Sequence, residues 1–331
     1  MKLLVLTVNK IDSTSFYRAN GVLHDLKKQM PLEITSMDFK DLNNMSWANL
    51  VLYDAVFLQR PYSGIALKMT QFCRELNLPV WVDFDDYLLE VPADNRSHDL
   101  FASPEVRKNI TEILTLANVV TVSTTALKNA FAQFSQNIHV VPNAFNHKLF
   151  RYREEKPKTE KTLLWRGSET HAMDTLFYAN EIMEAQNKFT DWNFLYFGWN
   201  PWFIPANQNK VFLPAMDPIL YFRRINNLAP RAMHVPLVDS LFNRCKSNIA
   251  YIEGTFAGAV CLVPSWDEWV MPGAITYSNA AEYYEKLSIL LNEKVNFAKY
   301  NSLAWEFIMD SLTLEKINRQ RVEILNNLIE S

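Results

Sequence analysis

The sequence has 331 residues, of which 49% are hydrophobic and 21% are charged, and its formal net charge is −3. This length is enough for two domains with sizeable cores. The charge balance excludes a protein that binds nucleic acid over its whole surface. The first 150 residues hold 14 Lys and Arg against 15 Asp and Glu, so the average hides no basic half.

The N-terminal stretch "MKLLVLTVNK" turns polar too early for a signal peptide. No apolar run approaches the roughly 18 residues that a membrane-spanning helix needs. Three cysteines without metal-ligand spacing indicate a reducing compartment. We therefore expect a cytoplasmic protein with no membrane span, and the sequence predicts no oligomeric state.

The N-terminal half alternates short apolar runs with segments of helical length. Continuous apolar strands separated by helices predict a parallel sheet covered on both faces. We predict helices at 15–29, 64–77, 103–118 and from Thr124. The predicted strands are 2–8, 32–38, 53–61, 78–86, 119–123 and 137–143.

A charged segment at 147–161, which contains Pro157, interrupts this pattern, and we place a domain boundary there. The alternation then restarts. We predict helices at 170–187, near 217–228, from Lys246, from 279 and at 312–329. The predicted strands are 162–168, 193–199, 210–216, 232–238, 259–265 and 273–279. The predicted fold class is α/β, with two Rossmann-like doubly wound domains facing a cleft, where ligands bind beyond the carboxyl ends of the strands.

The helix predicted from Lys246 carries an unusual set of polar residues. Lys246 and Ser247 stand at its start, where free N–H groups and the helix dipole favour a phosphate. Glu253 lies seven residues later on nearly the same face, about 10 Å away along the axis. The helix is therefore able to hold a diphosphate at its start and a ribose at Glu253. The alternative is a solvated helix start and an acid satisfied by a backbone group.

The segment "VPLVDSLFNRCKSNIAYIEGTFAGAVCLVPS" resembles the nucleotide-sugar motif of retaining GT-B glycosyltransferases. The segments "LLWRGSETHAMD", "ANVVTVSTTALKNAF…NIHVVPNAFN" and "VDFDDYLLEVP" resemble other parts of that family, the last one in bacterial and tailed-phage members. The four segments follow the family's order, and the resemblance covers about residues 1–300.

The resemblance implies a nucleotide diphosphate sugar, specifically a UDP-sugar, as the sugar donor, with no cofactor and no metal required. It implies that Arg166 and Lys246 bind the diphosphate, that Ser247 assists and that Glu253 holds the ribose. Many members carry a second Glu eight residues before the first, where it contacts the donor sugar, but this chain has Cys245 there.

The resemblance also assigns roles to the parts of the chain. Residues 1–150 are expected to form the acceptor-side domain and residues 151–311 the nucleotide-sugar domain. Residues 312–331 are expected to form a helix that packs back on the N-terminal domain.

Other residues lie at predicted strand ends. Arg166 suits a phosphate because its guanidinium donates to two oxygens, and Gly167 lets a backbone approach closely. The alternative is an exposed turn with a surface ion pair. Trp199 follows a strand and is able to stack on a base, although packing in the core or in a lid is the alternative.

The stretch "DFDD" places Asp83, Asp85 and Asp86 after a strand. Three interpretations remain open. An Asp-x-Asp pair binds a divalent cation in some glycosyltransferases, Asp85 and Asp86 are candidate catalytic acids at the cleft edge, or the stretch is a solvated loop. The second Rossmann-like half argues against the metal site.

The acceptor side is less well marked. Ser15 and Arg18 follow the first strand, and Gln59 and Arg60 end the third, so all four are candidates for contact with an acceptor. A capped helix with a surface arginine is the alternative for the first two.

The sequence favours a hexosyl- or pentosyltransferase in which Arg166 and Lys246 stabilise the leaving diphosphate. The acceptor is a glycan or, by similarity to phage enzymes acting in the host cytoplasm, a hydroxymethylated DNA base. A DNA acceptor requires a basic groove, for which Arg18, Arg60, Arg96, Arg107 and Lys108 are candidates. A nucleotide-sugar epimerase and a non-catalytic nucleotide-sugar or carbohydrate-binding protein are the alternatives.

Overall fold

The computed structural model of the protein describes residues 1–152 and 160–330. Most of the charged part of the predicted boundary at 147–161, including Pro157, lies outside these residues. The described residues form two halves, each built around a six-stranded sheet in which every pair of neighbouring strands is parallel.

The first sheet has the strand order β2-β1-β3-β4-β5-β6. The order reverses between β1 and β3, so a crevice opens there beyond the carboxyl ends of the strands. Strands β1, β3, β4 and β5 are almost wholly buried, as their apolar runs predict. The six strands are Lys2–Thr7 (β1), Glu33–Asp38 (β2), Ala55–Gln59 (β3), Val80–Phe84 (β4), Val119–Val122 (β5) and Ile138–Val140 (β6).

Residues 1–152 contain six helices. Pro104 opens the fifth at a position where its missing N–H costs no bond. The helices are Ser13–Arg18 (α1), Asn20–Leu26 (α2), Gly64–Glu75 (α3), His98–Ala102 (α4), Pro104–Leu116 (α5) and Thr125–Phe131 (α6).

The second sheet has the order β12-β11-β10-β7-β8-β9, and its chain order reverses between β7 and β10. Its strands are Thr162–Arg166 (β7), Asn193–Gly198 (β8), Lys210–Pro214 (β9), Ala232–His234 (β10), Val260–Pro264 (β11) and Ile275–Tyr277 (β12).

The remaining helices are Ala172–Phe177 (α7), Ala179–Lys188 (α8), Pro218–Leu228 (α9), Leu241–Arg244 (α10), Ile249–Ala257 (α11), Ala280–Leu291 (α12), Phe297–Ser311 (α13) and Leu314–Glu330 (α14). Short 3-10 segments occur at Phe39–Asn44, Trp47–Leu52, Leu88–Glu90 and Glu169–His171. Helix α11 packs so close to β11 that a Cβ on Gly254 would lie 2.5 Å from Cys261 Sγ. It ends at Gly258, whose φ of 91° suits glycine.

The last helix, α14, packs on the first half of the molecule. Its Leu325 is fully buried in a cluster that contains Leu3 and Val22. Asn318 Nδ2 donates to the carbonyl of Val22 at 3.0 Å. This contact joins the C-terminal end of the chain to the first sheet.

Three predicted helices differ from the observed ones. The helix predicted at 15–29 is broken at Ala19, which has φ −124° and ψ −102°. The helix predicted at 170–187 is broken at Tyr178. The helix predicted from Lys246 begins only at Ile249, so Lys246 and Ser247 lie in the preceding loop. Helices α4, α10 and α13 were not predicted.

Candidate functional site

A crevice of about 440 Å³ separates the carboxyl ends of the two sheets. Both halves contribute to its walls, through the segments that follow β1, β3 and β4 on one side and β7 to β10 on the other. Eight of the predicted site residues line it: Arg60, Asp85, Asp86, Arg166, Gly167, Lys246, Ser247 and Glu253.

Arg166 is the last residue of β7 and faces α11 across the crevice floor. Its Nε lies 2.7 Å from Glu253 Oε2, an ion pair that is not aligned as a hydrogen bond. Its Nη2 is buried and has no hydrogen-bond partner among residues 1–152 and 160–330. A buried guanidinium donor without an acceptor is costly, so this group is suited to receive an anionic ligand.

Glu253 is 4% exposed and is held by side chains of both halves. Tyr17 of α1 donates its hydroxyl to Oε1 at 2.6 Å, and Tyr221 of α9 donates to Oε2 at 3.0 Å. Burial raises the pKa of both tyrosines well above the usual value, and the charge of Glu253 adds to the shift. The partners of the carboxylate are therefore two phenol hydroxyls and Arg166, and not the backbone group that the sequence left as the alternative.

Lys246 and Ser247 lie in the loop between α10 and α11. Lys246 Nζ lies 3.4 Å from Asp86 Oδ1 and 4.3 Å from the centre of the Phe242 ring. Ser247 Oγ accepts a hydrogen bond of 2.8 Å from Asn143 Nδ2. The first turn of α11 also borders the crevice through Ile249, and first-turn N–H groups have no intrahelical acceptor.

Arg60 ion-pairs with both Asp85 and Asp86 at the opposite wall. Burial raises the pKa of Asp85 against the pull of Arg60. Burial acts in the same direction on Asp86, but Lys246 and Arg60 outweigh it and lower the pKa of Asp86 to about 2. Arg60 has a φ of 48°, a left-handed conformation that is unfavourable for a side-chain-bearing residue. Its carboxylate partners hold it there.

The prediction that Arg18 contacts an acceptor is wrong. Arg18 is 1% exposed, and its Nε and Nη2 donate to the two carboxylate oxygens of Asp83 at 3.0 and 2.7 Å. Asp83 also accepts a hydrogen bond of 2.6 Å from Thr121. The pair lies behind the crevice wall, because α1 turns Tyr17 and not Arg18 toward the second half.

Ser15 and Gln59 are also misplaced as acceptor contacts. Ser15 is fully buried, donates to the carbonyl of Lys10 at 3.2 Å and accepts from Asn20 at 3.1 Å. Gln59 is 1% exposed within β3 and does not line the crevice. Both side chains point into the first half, whose helices cover them.

Trp199, a candidate for stacking on a base, does not line the crevice either. It packs with Trp165 and Phe203 in the core of the second half. Gly167 lines the crevice. The backbone of Gly198 approaches it closely, since a Cβ on Gly198 would lie 2.4 Å from the carbonyl oxygen of Gly167.

Cys245, which stands where many family members have a second Glu, does not line the crevice. It is fully buried among apolar residues of the first half, and burial raises the pKa of its thiol to about 12. Its carbonyl accepts a hydrogen bond of 2.9 Å from Thr124. The residue therefore joins the two halves beside the crevice.

The sequence analysis missed several residues of the site. Tyr17 lies in the same segment as Ser15 and Arg18, but a short helix gives no apolar periodicity that tells which side faces the crevice. Tyr221 and Asn143 are uncharged, so reasoning from strand-end charges passes over them. His171 also lines the crevice; burial lowers its pKa, and its Nδ1 lies 3.0 Å from Asp174 Oδ2.

Comparison with solved structures finds similar folds over the whole chain. Sucrose-phosphate synthase from Thermosynechococcus elongatus gives a TM-score of 0.71 at 12% identity and covers 100% of both chains. HepE from Anabaena in complex with UDP-glucose gives 0.69 at 14% identity, covering 99% of this chain and 100% of that one. An α,α-trehalose-phosphate synthase from Burkholderia vietnamiensis gives 0.66 at 10% identity, covering 99% and 97%. Neither protein-family models nor curated sequences match.

The chain has the GT-B fold. The predicted class, two Rossmann-like doubly wound sheets facing a cleft, is confirmed. The crevice described above lies between the two halves of this fold.

The basic residues that a DNA groove would need do not form a free cluster in this GT-B structure. Arg18 is buried with Asp83, and Arg60 is paired with Asp85 and Asp86. The others also have partners: Arg96 with Glu169, Arg107 with the carbonyl of Leu89, and Lys108 with Glu112. These five candidates therefore do not supply a groove of unpaired basic side chains.

Within residues 1–152 and 160–330, no group of three His, Cys, Asp or Glu side chains is placed to hold a metal ion. The helices described there include none that is long and apolar enough to cross a membrane. The aspartates of "DFDD" are instead paired with Arg18, Arg60 and Lys246.

Proposed function

We propose that the protein is a glycosyltransferase that moves a sugar from a UDP-sugar to an acceptor hydroxyl. The observation that carries the proposal is the convergence of Arg166, Lys246, Ser247 and Glu253 in one crevice of a GT-B fold. The HepE structure contains UDP-glucose, which supports a UDP-sugar as the donor.

The diphosphate of the donor would lie between Arg166 and Lys246. Arg166 offers the unpartnered Nη2, and Lys246 offers an ammonium whose present partner, Asp86, lies at the long distance of 3.4 Å. Ser247 and the first turn of α11 add uncharged donors. These groups lie on the second half of the molecule, beside the carboxyl ends of β7 and β10.

Glu253 would accept the two ribose hydroxyls. Its oxygens now receive the hydroxyls of Tyr17 and Tyr221, so two hydroxyl donors already mark the positions that ribose would take or share. A carboxylate accepts up to about four hydrogen bonds, so exchange or sharing is possible without leaving the charge unpaired.

Transfer would proceed through a sugar with oxocarbenium character as the bond to the diphosphate breaks. Negative charge grows on the leaving oxygen, and Arg166 and Lys246 would stabilise that charge more in the transition state than in the bound donor. Asp85 and Asp86 are already paired with Arg60 and Lys246, which supports a donor site that works without a metal.

The acceptor would enter along the wall formed by the first half, where Ser13, Thr14, Arg60 and Asp85 line the crevice. Hydroxyls, a paired cation and carboxylates suit a polyhydroxy acceptor such as a glycan. Asp85, with its raised pKa, is the candidate to receive the acceptor proton, because it binds protons more readily than Asp86.

A thermal-shift series with UDP-sugars, combined with an assay of UDP release, tests this function. A donor at a hundred times its dissociation constant adds about 2.7 kcal/mol to the free energy of unfolding. We expect a shift with one UDP-sugar for the wild type and none for Lys246→Ala or Glu253→Ala. Lys108→Ala, which removes an exposed lysine on α5, serves as the control and should respond like the wild type.

The function is contradicted if no UDP-sugar shifts the wild type, or if the two crevice variants respond like the control. Binding without UDP release, in the presence of a range of glycan acceptors, would instead favour a non-catalytic nucleotide-sugar-binding protein. Conversion of a UDP-sugar to its epimer without an acceptor would favour the epimerase.

A further inference from the structure

A directed chain of hydrogen bonds runs from the interior of the first half to the crevice. Arg18 Nη1 donates to Asn143 Oδ1 at 3.2 Å, and Asn143 Nδ2 donates to Ser247 Oγ at 2.8 Å. Arg18 and Asn143 are 1% and 3% exposed, so water does not compete for these bonds. The last bond crosses from the first half of the molecule to the second.

The direction of this chain is fixed by chemistry. A guanidinium has donors only, so the atom of Asn143 that faces Arg18 must be the carbonyl oxygen. The amide nitrogen of Asn143 is then turned to Ser247, whose oxygen has to accept. Asp83 holds Arg18 in place through two further hydrogen bonds, at 3.0 and 2.7 Å.

The consequence concerns the hydroxyl hydrogen of Ser247. Since Oγ receives the amide hydrogen of Asn143, the hydroxyl has its own hydrogen left to donate elsewhere. Asn143 is its one side-chain partner among residues 1–152 and 160–330, and Ser247 lines the crevice beside Lys246. The hydroxyl is therefore ready to donate to a ligand in the crevice.

We propose that Asn143 is a positioning residue that makes Ser247 a hydrogen-bond donor to the diphosphate of the sugar donor. This inference rests on the proposed function. It gives a role to the buried pair of Arg18 and Asp83, which our sequence analysis had placed at the acceptor or in a loop. It also means that the donor site is complete only when the two halves lie together as they do here, because Asn143 and Ser247 come from different halves.

Replacement of Asn143 by Asp reverses the last hydrogen bond. The carboxylate accepts from Arg18 and also from Ser247, so the serine hydrogen turns away from the ligand. We expect Asn143→Asp to weaken UDP binding about tenfold, which is the loss of about 1.4 kcal/mol. Binding of uridine, which has no phosphate, should change less than about twofold.

A double-mutant cycle with Ser247→Ala separates this role from the added charge. The new carboxylate is present in both backgrounds, whereas the serine hydrogen is present in one. Isothermal titration with UDP should show that Asn143→Asp costs about tenfold beside the native serine, but about threefold or less in the Ser247→Ala background. Asn129→Asp, at an exposed position of α6, adds the same charge elsewhere and should leave the UDP affinity unchanged.

Thermal unfolding of each variant shows whether it folds. If Asn143→Asp does not fold, Asn143→Ala takes its place, with an expected loss of about threefold that again disappears in the Ser247→Ala background. Equal losses of UDP affinity in the two backgrounds overturn the inference. If the wild type still binds UDP, the proposed function stands. A wild type that binds no UDP overturns both.

Discussion

At the scale of single residues, His234 shows how the interior sets a charge state. It ends β10, is 2% exposed, and its Nδ1 lies 2.6 Å from the hydroxyl of Tyr283. Burial lowers the pKa of this imidazole to about 3. The side chain is therefore neutral in the folded protein at pH 7 and at pH 5.

This shift predicts how stability depends on pH. The unfolded chain binds a proton at His234 below about pH 6.5, while the folded protein does not bind it until about pH 3. Stability from this group is therefore full above pH 6.5 and is lost as the pH falls toward 3. Between pH 7 and pH 5 this group lowers the free energy of unfolding by about 2 kcal/mol.

His234→Asn keeps a hydrogen-bonding atom near Tyr283 but cannot take up the proton. We expect urea unfolding at pH 7 and pH 5 to show a drop in free energy about 2 kcal/mol larger for the wild type than for the variant. All other titrating groups are common to both proteins and cancel in the difference. An equal drop in both proteins would show that His234 does not titrate as its burial indicates.

The site could be predicted in part from such residue-scale reasoning. Arg166 and Glu253 were found because one ends a strand and the other is the single acid in an apolar helix, and the structure places them 2.7 Å apart. Arg18 was placed wrongly because its partner Asp83 is 65 residues away in the chain. Asn143 was missed because an amide next to a strand end carries no signal of its own.

At the scale of elements, apolar runs predicted the strands and periodic apolar residues predicted α14. Helix α13 was not predicted because a polar residue, Asn301, lies in its buried stripe between Phe297 and Ala304. This asparagine donates to the carbonyls of Thr255 and Ala259, which no local pattern reveals.

The sequence contains a sign of the break between α1 and α2, the pair Asn20–Gly21. A Cβ on Gly21 would lie 2.1 Å from the carbonyl oxygen of Phe16, so the sharp bend at Ala19 requires glycine two residues later. An asparagine–glycine pair inside a predicted helix is a recognised sign of a turn.

The packing of α14 gives a prediction at this scale. Leu325 is fully buried against the first half, so Leu325→Ala should lower the free energy of unfolding by about 2–5 kcal/mol. Glu323→Ala on the same helix removes an exposed side chain and should change it by less than about 0.5 kcal/mol. Urea denaturation measures both, and similar small effects would mean that α14 does not pack there in solution.

At the scale of the whole molecule, side-chain bonds across the crevice join the two halves. Tyr17 of the first half donates to Glu253 of the second, and Thr124 donates to the carbonyl of Cys245. The backbone N–H of Thr125 donates to Glu268 at 2.7 Å. The exposed pair of Arg96 and Glu169 also crosses but contributes little, because solvent screens it.

Tyr17→Phe tests how strongly these bonds hold the halves. The variant leaves a buried carboxylate with one donor fewer, and we expect it to lower the free energy of unfolding by about 1–3 kcal/mol. Tyr53→Phe is the matched control, since the structure records no hydrogen bond of its hydroxyl among the described residues. If chemical denaturation gives equal values for both variants, the bond between Tyr17 and Glu253 does not stabilise the contact between the halves.

The most direct measurement is a crystal structure of the protein grown with UDP. We expect the diphosphate within hydrogen-bonding distance of Lys246 Nζ, Ser247 Oγ and the guanidinium of Arg166, with the ribose hydroxyls at Glu253. A nucleotide bound elsewhere, or a crevice in which these four side chains make no contact with it, would contradict the assignment of the donor site.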